Sequence, residues 1–161
     1  MSGTEKGDDV GIEFIEIAPD SAEDLAQQEA AATPWPWSVS QIVRSLSGDH
    51  SVIAIRSGAQ TLGYCVFLDL GEEVEILNLV IFSDFQRQGF GRLMLEKIKS
   101  LAREQGAFKL WLEMRAGNHR AREVYRSAGF VQTGRRERYY PTHAGSREDA
   151  VLMECELSNP S

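Results

Sequence analysis

A chain of 161 residues, 42% of them apolar, suits one well-packed domain, and its lack of an eighteen-residue apolar run excludes a membrane-spanning helix. Net charge is −7 with no basic face, which argues against nucleic acid as a direct partner. The charge is uneven: residues 1–34 hold nine acids and one lysine, so this segment either solvates a helix face and a tail or favours a basic partner.

Taken in order, residues 1–10 are polar, acidic and unlike a signal peptide, and read as a disordered tail. Residues 11–18 alternate as a first strand. Asp20 with Glu23 forms a capping-box-like pair at the start of a helix that runs to about Ala32, where Pro34 and Pro36 break it. Ser38 and Gln41 cap a second helix that stops near Gly48, and Trp37 stands where a hydrophobic staple would pack on Ile42. Residues 50–56 and 61–70 form a hairpin around Ser57-Gly58. Residues 72–81 are apolar on both faces towards their end, as in a central strand covered on both sides. A long helix follows over 91–105, with Met94, Leu95, Ile98, Leu101 and Ala102 on its stripe, Arg92 and Glu96 paired outside, and Gly106 as its stop. Then come a strand over 108–115, a helix over 118–128 capped by Asn118 and Gly129, and strands over 131–138 and 150–157. A long polar loop with Tyr139, Tyr140, Pro141 and Gly145 joins the last two. Residues 11–157 thus make one α/β domain, with a short tail over 158–161.

Between the central strand and the long helix stands Gln86-Arg87-Gln88-Gly89-Phe90-Gly91-Arg92. Two glycines at a helix entry let a ligand approach the backbone, and the free N–H groups of the first turn favour an anion. Arg87 and Arg92 add positive charge. The loop is a phosphate cradle or merely a helix cap. Its spacing lacks the Lys-Ser/Thr of a P-loop and the third glycine of a dinucleotide fingerprint.

On the strand over 108–115, Phe108, Leu110, Leu112 and Met114 share one side, and Lys109, Trp111, Glu113 and Arg115 the other. Glu113 therefore lies mid-sheet, either ion-paired to Arg115 or a base across the sheet, or poised as a general base. Tyr125 belongs to an apolar stripe with Ala121, Val124 and Ala128, as core packing or with its hydroxyl in the same cleft. Cys65 and Cys155 read as buried free thiols of a reducing cytoplasm, and the three histidines lack metal-ligand spacing, so no metal is expected. No feature specifies an oligomer, and a monomer is the default.

The Q-x-x-G-x-G run resembles the acetyl-coenzyme A signature of the GNAT family of N-acetyltransferases. L-W-L-E-M-R-A-G-N, V-Y-R-S-A-G-F, the Y-Y-P…E-D-A pairing and W-P-W-S look like the RimI group within that family, over nearly all of residues 11–157. The resemblance implies a mixed central sheet of about seven strands flanked by about four helices. It also implies acetyl transfer from acetyl-coenzyme A to the N-terminal alanine of the eighteenth small-subunit ribosomal protein, in the cytoplasm. The backbone of Leu79, Val80 and Ile81 would hold the acetyl-pantetheine arm. Arg87, Gln88, Gly89, Phe90, Gly91 and Arg92 would hold the pyrophosphate, and Asn118 would contact the cofactor. Glu113 would be the base and Tyr125 the acid. Trp35, Trp37, Tyr139, Tyr140, Glu148 and Asp149 would flank a basic N-terminal peptide. Phe82-Ser83-Asp84 departs from the pattern, where a more polar residue and a proline are expected, and should alter loop stiffness only.

The chemistry is consistent with an α-amine. With a pKa of about 7.7–8.0 it is neutral roughly one time in ten near pH 7, against about one in a few thousand for a lysine near 10.4. That difference is about 3.5 kcal/mol, which a carboxylate need not supply in the easier case. Rival readings are a family enzyme for lysine side chains or small amines, a coenzyme-binding module without catalysis, and transfer through an acyl-cysteine at Cys65 or Cys155.

Overall fold

The computed structural model describes residues 11–158; the tail expected over 1–10 and the end of that over 158–161 lie outside them. Seven strands are β1 (Ile12–Glu16), β2 (Ser51–Ser57), β3 (Gln60–Asp69), β4 (Glu73–Ile81), β5 (Lys109–Arg115), β6 (Val131–Pro141) and β7 (Arg147–Glu156). Four helices are α1 (Ala22–Ala32), α2 (Val39–Ser47), α3 (Phe90–Glu104) and α4 (His119–Ser127). The strands are hydrogen-bonded in the order β1-β2-β3-β4-β5-β7-β6. The β4–β5 pair is parallel, whereas β1–β2, β2–β3, β5–β7 and β6–β7 are antiparallel. This is the mixed seven-strand, four-helix architecture that the sequence implies.

The described residues fall into two compact units, residues 11–67 with 78–94, and residues 68–77 with 95–158. In the first, β1, β2 and β3 form a meander with a bulge between Ile55 and Arg56. Gly58, at φ 59°, makes the β2–β3 turn expected at Ser57-Gly58. Helix α2 begins with the expected capping box: Ser38 Oγ accepts from Gln41 N–H at 3.2 Å, and Gln41 Oε1 from Ser38 N–H at 2.8 Å. The Asp20–Glu23 box is not used. Pro19–Ser21 forms a 3-10 turn, α1 starts only at Ala22, and Ser21 at its cap has no side-chain cap bond. Gly63 on β3 packs against the end of β4 so closely that a Cβ there would stand 2.3 Å from the Val80 carbonyl oxygen.

In the second unit, α3 buries Leu95, Ile98 and Ala102 and ends at Gly106, φ 87°, as its stripe predicts. Lys99 is also buried; its ammonium donates to the Ala128 carbonyl and pairs with Glu96 at 3.1 Å. Strand β5 obeys its face rule from Leu110 onward, with Leu110, Leu112 and Met114 in the core. Phe108 departs from that rule. It precedes the strand, which starts at Lys109, and is 48% exposed. The loop expected around Tyr139 to Gly145 is also shorter. β6 runs on to Pro141 through a bulge between Arg136 and Tyr140, where Arg138 has φ 49°. Only residues 142–146 turn, closed by Thr142 N–H to the Ser146 carbonyl at 2.9 Å. Both tyrosines are thus strand residues with fixed directions.

β4 differs from its expectation as well. Val74, Ile76 and Val80 are buried, but Glu75, Leu77, Leu79 and Ile81 on the other face are only half-buried. Its parallel ladder with β5 ends at Ile76 opposite Leu112. One face of β4 is therefore partly open rather than covered.

Candidate active site

In the first unit the loop between β4 and α3 adopts a conformation made for an anion. Arg87 and Gly89 both have left-handed backbones, φ 63° and 87°. The first hydrogen bond of the helix runs from Leu93 N–H to the Gly89 carbonyl at 3.1 Å. The amides of Phe90, Gly91 and Arg92 are therefore turned out of the helix start. Beyond its own chain neighbours, no atom of the described residues lies within 4 Å of where a Gly89 Cβ would stand, so the approach is open. Arg87, Gln88 and Arg92 are exposed around it. These residues fit a pyrophosphate.

The departure at Phe82-Ser83-Asp84 is absorbed. Phe82 is buried with its ring 6.3 Å from that of Tyr64, and Ser83 Oγ donates to the Ala31 carbonyl at 2.9 Å. Gln86 Nε2 donates to the Ile81 carbonyl at 2.9 Å, so that one acceptor at the strand end is already engaged. Trp35 and Trp37 are half-buried in the turn between α1 and α2. Trp37 N–H donates to Glu29 Oε2 at 3.0 Å. Glu29, Tyr64 and Asn78, which the sequence reading passed over, form a buried polar cluster here.

In the second unit Glu113 lies on the polar side of β5, its side chain 17% exposed. Its pairing partner is Arg136 of β6, with Nε 3.1 Å from Oε2, rather than Arg115. The contact is one of charge and lacks hydrogen-bond alignment, because Oε2 is buried and has no hydrogen bond among the described residues. Arg115 instead binds Glu148 Oε1 at 3.0 Å and the Pro141 carbonyl at 2.8 Å, and its guanidinium lies 4.6 Å from the centre of the Tyr140 ring. Burial raises the Tyr140 hydroxyl above its ordinary pKa, and the charge of Glu113 adds to it. Glu75 on β4 is likewise held above the usual carboxylate value, by burial first and then by Glu113. Glu75, Glu113 and Tyr140 thus share one electrostatic environment.

Tyr125 is buried on α4, its ring edge-on to Phe130 at 5.5 Å. Asn118 caps that helix, its Oδ1 accepting from Ala121 N–H at 3.2 Å, which uses the acceptor of the amide and not its Nδ2 donor. Of the four residues expected to flank a peptide from this unit, Tyr139 is the most open, at 46% exposed and edge-on to Tyr140 at 4.9 Å. Glu148 and Asp149 are engaged internally. Glu148 also accepts from Gly117 N–H at 3.1 Å, and Asp149 accepts from Arg135 at 2.6 Å and from Arg138 N–H at 2.9 Å. Both cysteines are buried free thiols whose pKa burial pushes up, which is the wrong direction for a nucleophile. No group of acids, histidines and cysteines able to hold a metal occurs among the described residues. No described helix is long and apolar enough to cross a membrane.

The model of the Acetyltransferase (GNAT) family matches residues 12–130. The chain belongs to the GNAT acetyltransferase family. It is 33% identical over 135 residues to the [ribosomal protein bS18]-alanine N-acetyltransferase of Haemophilus influenzae, covering 84% of this chain and 92% of that one. The Escherichia coli protein of the same name is 32% identical over 130 residues, covering 81% and 87%. The crystal structure of the Escherichia coli ribosomal-protein-S18-alanine N-acetyltransferase superposes with a TM-score of 0.84 at 27% identity, over 93% of this chain and 96% of that one. As a member of this family the chain is an acetyl-coenzyme A-dependent N-acetyltransferase, with acetyl-coenzyme A as its cosubstrate.

Proposed function

We propose that this acetyltransferase modifies the α-amine of the N-terminal alanine of ribosomal protein bS18, as one catalytic domain over residues 11–157 acting in the cytoplasm. The observation that carries the reading is the identity of about a third, spanning more than four fifths of both chains, to relatives that bear this activity in their names. Acetyl-coenzyme A supplies an activated thioester to the amine.

The remaining roles fall to residues of this chain. Glu113 accepts a proton from the incoming ammonium, directly or through water; its buried Oε2 has charge compensation from Arg136 but no hydrogen bond that would occupy it. Tyr125 donates a proton to the departing sulfur. The amides of the loop from Arg87 to Arg92 take the pyrophosphate, supported by the left-handed Arg87 and Gly89. The half-open face of β4, and the end of its ladder with β5 at Ile76, support Leu79, Val80 and Ile81 as the strand along which the acetyl-pantetheine arm lies. Asn118 adds its Nδ2 donor. Trp35, Trp37, Tyr139 and Tyr140 flank the peptide, while Glu148 and Asp149 act on it chiefly through their field, since their oxygens are engaged internally.

The test uses the protein, acetyl-coenzyme A and a peptide carrying the bS18 N terminus, free or blocked, with an internal lysine in each. Acetyl incorporation only into the free peptide is expected. Equal reaction of the blocked peptide would hand the enzyme to lysine side chains, and reaction of polyamines alone would hand it to small amines.

A further inference from the structure

The most completely built polar cluster in the first unit surrounds a carboxylate that the proposed chemistry does not use. Glu29 shares the inward stripe of α1 with Ala22, Leu25 and Ala26, so helix geometry turns it into the core, where it is 1% exposed. A carboxylate buried so far is costly unless its oxygens are satisfied. Here both are. Oε1 accepts from the Tyr64 hydroxyl, and Oε2 accepts from Trp37 N–H at 3.0 Å and Asn78 Nδ2 at 3.1 Å. Asn78 Nδ2 also reaches the Tyr64 oxygen at 3.1 Å. Burial and the Glu29 charge drive the Tyr64 hydroxyl far above its ordinary pKa, so it stays a donor.

The donors come from three separate pieces of chain. Tyr64 is on β3, Asn78 is on β4 immediately before Leu79, and Trp37 is in the turn between α1 and α2. That turn contains Pro34 and Pro36, which cannot donate backbone hydrogen bonds of their own. Among its other ties are Thr33 N–H to the Glu29 carbonyl at 3.1 Å, Trp35 N–H to Thr33 Oγ1 at 3.2 Å and the Ser38 capping box. Three donors meeting two oxygens suit a carboxylate better than an amide, since a glutamine that kept the Trp37 and Asn78 bonds would turn its NH2 group towards Tyr64 and leave that hydroxyl without its acceptor.

We infer that Glu29 is a positioning residue that holds the aromatic turn over residues 33–38 in its peptide-binding form and thereby sets peptide affinity without taking part in the chemistry. The inference rests on the reading in which Trp35 and Trp37 flank the peptide.

Steady-state kinetics of the full chain with the free bS18 peptide and acetyl-coenzyme A, joined to amide hydrogen exchange, test it in Glu29→Gln and Tyr64→Phe. The peptide KM should rise about tenfold in Glu29→Gln, with kcat and the acetyl-coenzyme A KM within about twofold of wild type. Exchange over 33–38 should accelerate while that of β5 and β7 does not. Tyr64→Phe keeps the carboxylate and should move both readouts the same way by less, which also covers a Glu29→Gln that fails to fold. An unchanged peptide KM overturns the inference, as does an equal loss of kcat and both KM values with faster exchange throughout, since Glu29 then merely supports the fold. If the wild-type protein leaves the free peptide unmodified, the functional reading falls on its own, and wild-type exchange over 33–38 in Glu29→Gln would then remove the anchoring role too.

Discussion

Glu29 and Glu113 are both carboxylates largely withdrawn from water, and they are satisfied in opposite ways. Glu29 has an N–H or O–H donor on each oxygen, from three elements of the first unit. Glu113 has a charge partner in Arg136 and a buried Oε2 that no hydrogen bond occupies among the described residues. A carboxylate with donors on both oxygens is suited to locating its neighbours. One whose charge is compensated but which keeps an oxygen without a hydrogen bond has an acceptor left, as a general base needs. The difference separates the residue that builds the turn from the residue proposed to run the reaction.

The largest effect expected from breaking this contrast is at Glu113. Glu113→Gln keeps the shape and removes the proton acceptor, so turnover should fall by about 10² or more, about 2.7 kcal/mol, with acetyl-coenzyme A binding retained by titration calorimetry. Glu29→Gln, the same chemical change, should leave kcat near wild type. If the two substitutions cost the same in kcat, the contrast is wrong. Tyr125→Phe belongs with Glu113: the ring stays packed on Phe130 and only the hydroxyl goes. A comparable loss of turnover with acetyl-coenzyme A binding retained is expected, and unchanged turnover would remove its role as acid.

Stability should order the same residues in reverse. Glu29→Gln takes the acceptor away from the buried Tyr64 hydroxyl and should cost about 1–3 kcal/mol in denaturant unfolding. Gly63→Ala should cost a similar amount, because its Cβ would meet the Val80 carbonyl oxygen at 2.3 Å and backbone would have to move. It should also raise the acetyl-coenzyme A KM if the end of β4 carries the acetyl arm. A stable Gly63→Ala with normal kinetics would show that the strand end is not held tightly.

Much of this was legible in the chain. The order of strands and helices, the Ser38 cap, the Gly58 turn, the stripe of α3 and the caps of α4 follow from local pattern and came through intact. What misled were places where a neighbour outweighed local preference. Residues 19–21 form a 3-10 turn in place of the Asp20 cap, and the pairing of Tyr140 and Pro141 with β7 carries β6 through a bulge that takes Tyr139 and Tyr140 out of the polar loop. The base candidate could be placed on the polar side of β5, but its partner could not, because Arg136 reaches it from β6, which flanks the opposite edge of β7. Glu29 had a signal that went unused. Its spacing from Ala22, Leu25 and Ala26 marks it as an acid on an apolar stripe, and Asn78 is the lone polar residue between Ile76 and Ile81. Neither spacing alone says that the two meet, since 49 residues separate them.

Glu75 gives the smallest effect and the finest test. It is neither satisfied like Glu29 nor charge-paired like Glu113, and burial, with repulsion from Glu113, raises its pKa above the ordinary 4.5. The folded state therefore holds this proton more tightly than the unfolded state. Stability is lost as pH rises from about 4.5 through the folded-state value, and the full penalty is present at neutral pH. Glu75→Gln removes the penalty, so its Tm should exceed that of wild type at pH 7 and the gain should vanish as the pH approaches 4. In a Glu113→Gln background the Glu75→Gln gain should be smaller, because one of its two causes is already removed. Glu29→Gln should be destabilising at both pH values, since what it loses is hydrogen bonding and not the relief of a charge. A Glu75→Gln gain that persists undiminished at pH 4 would trace its effect to packing, and Glu75 would then drop out of the electrostatic environment assigned to Glu113.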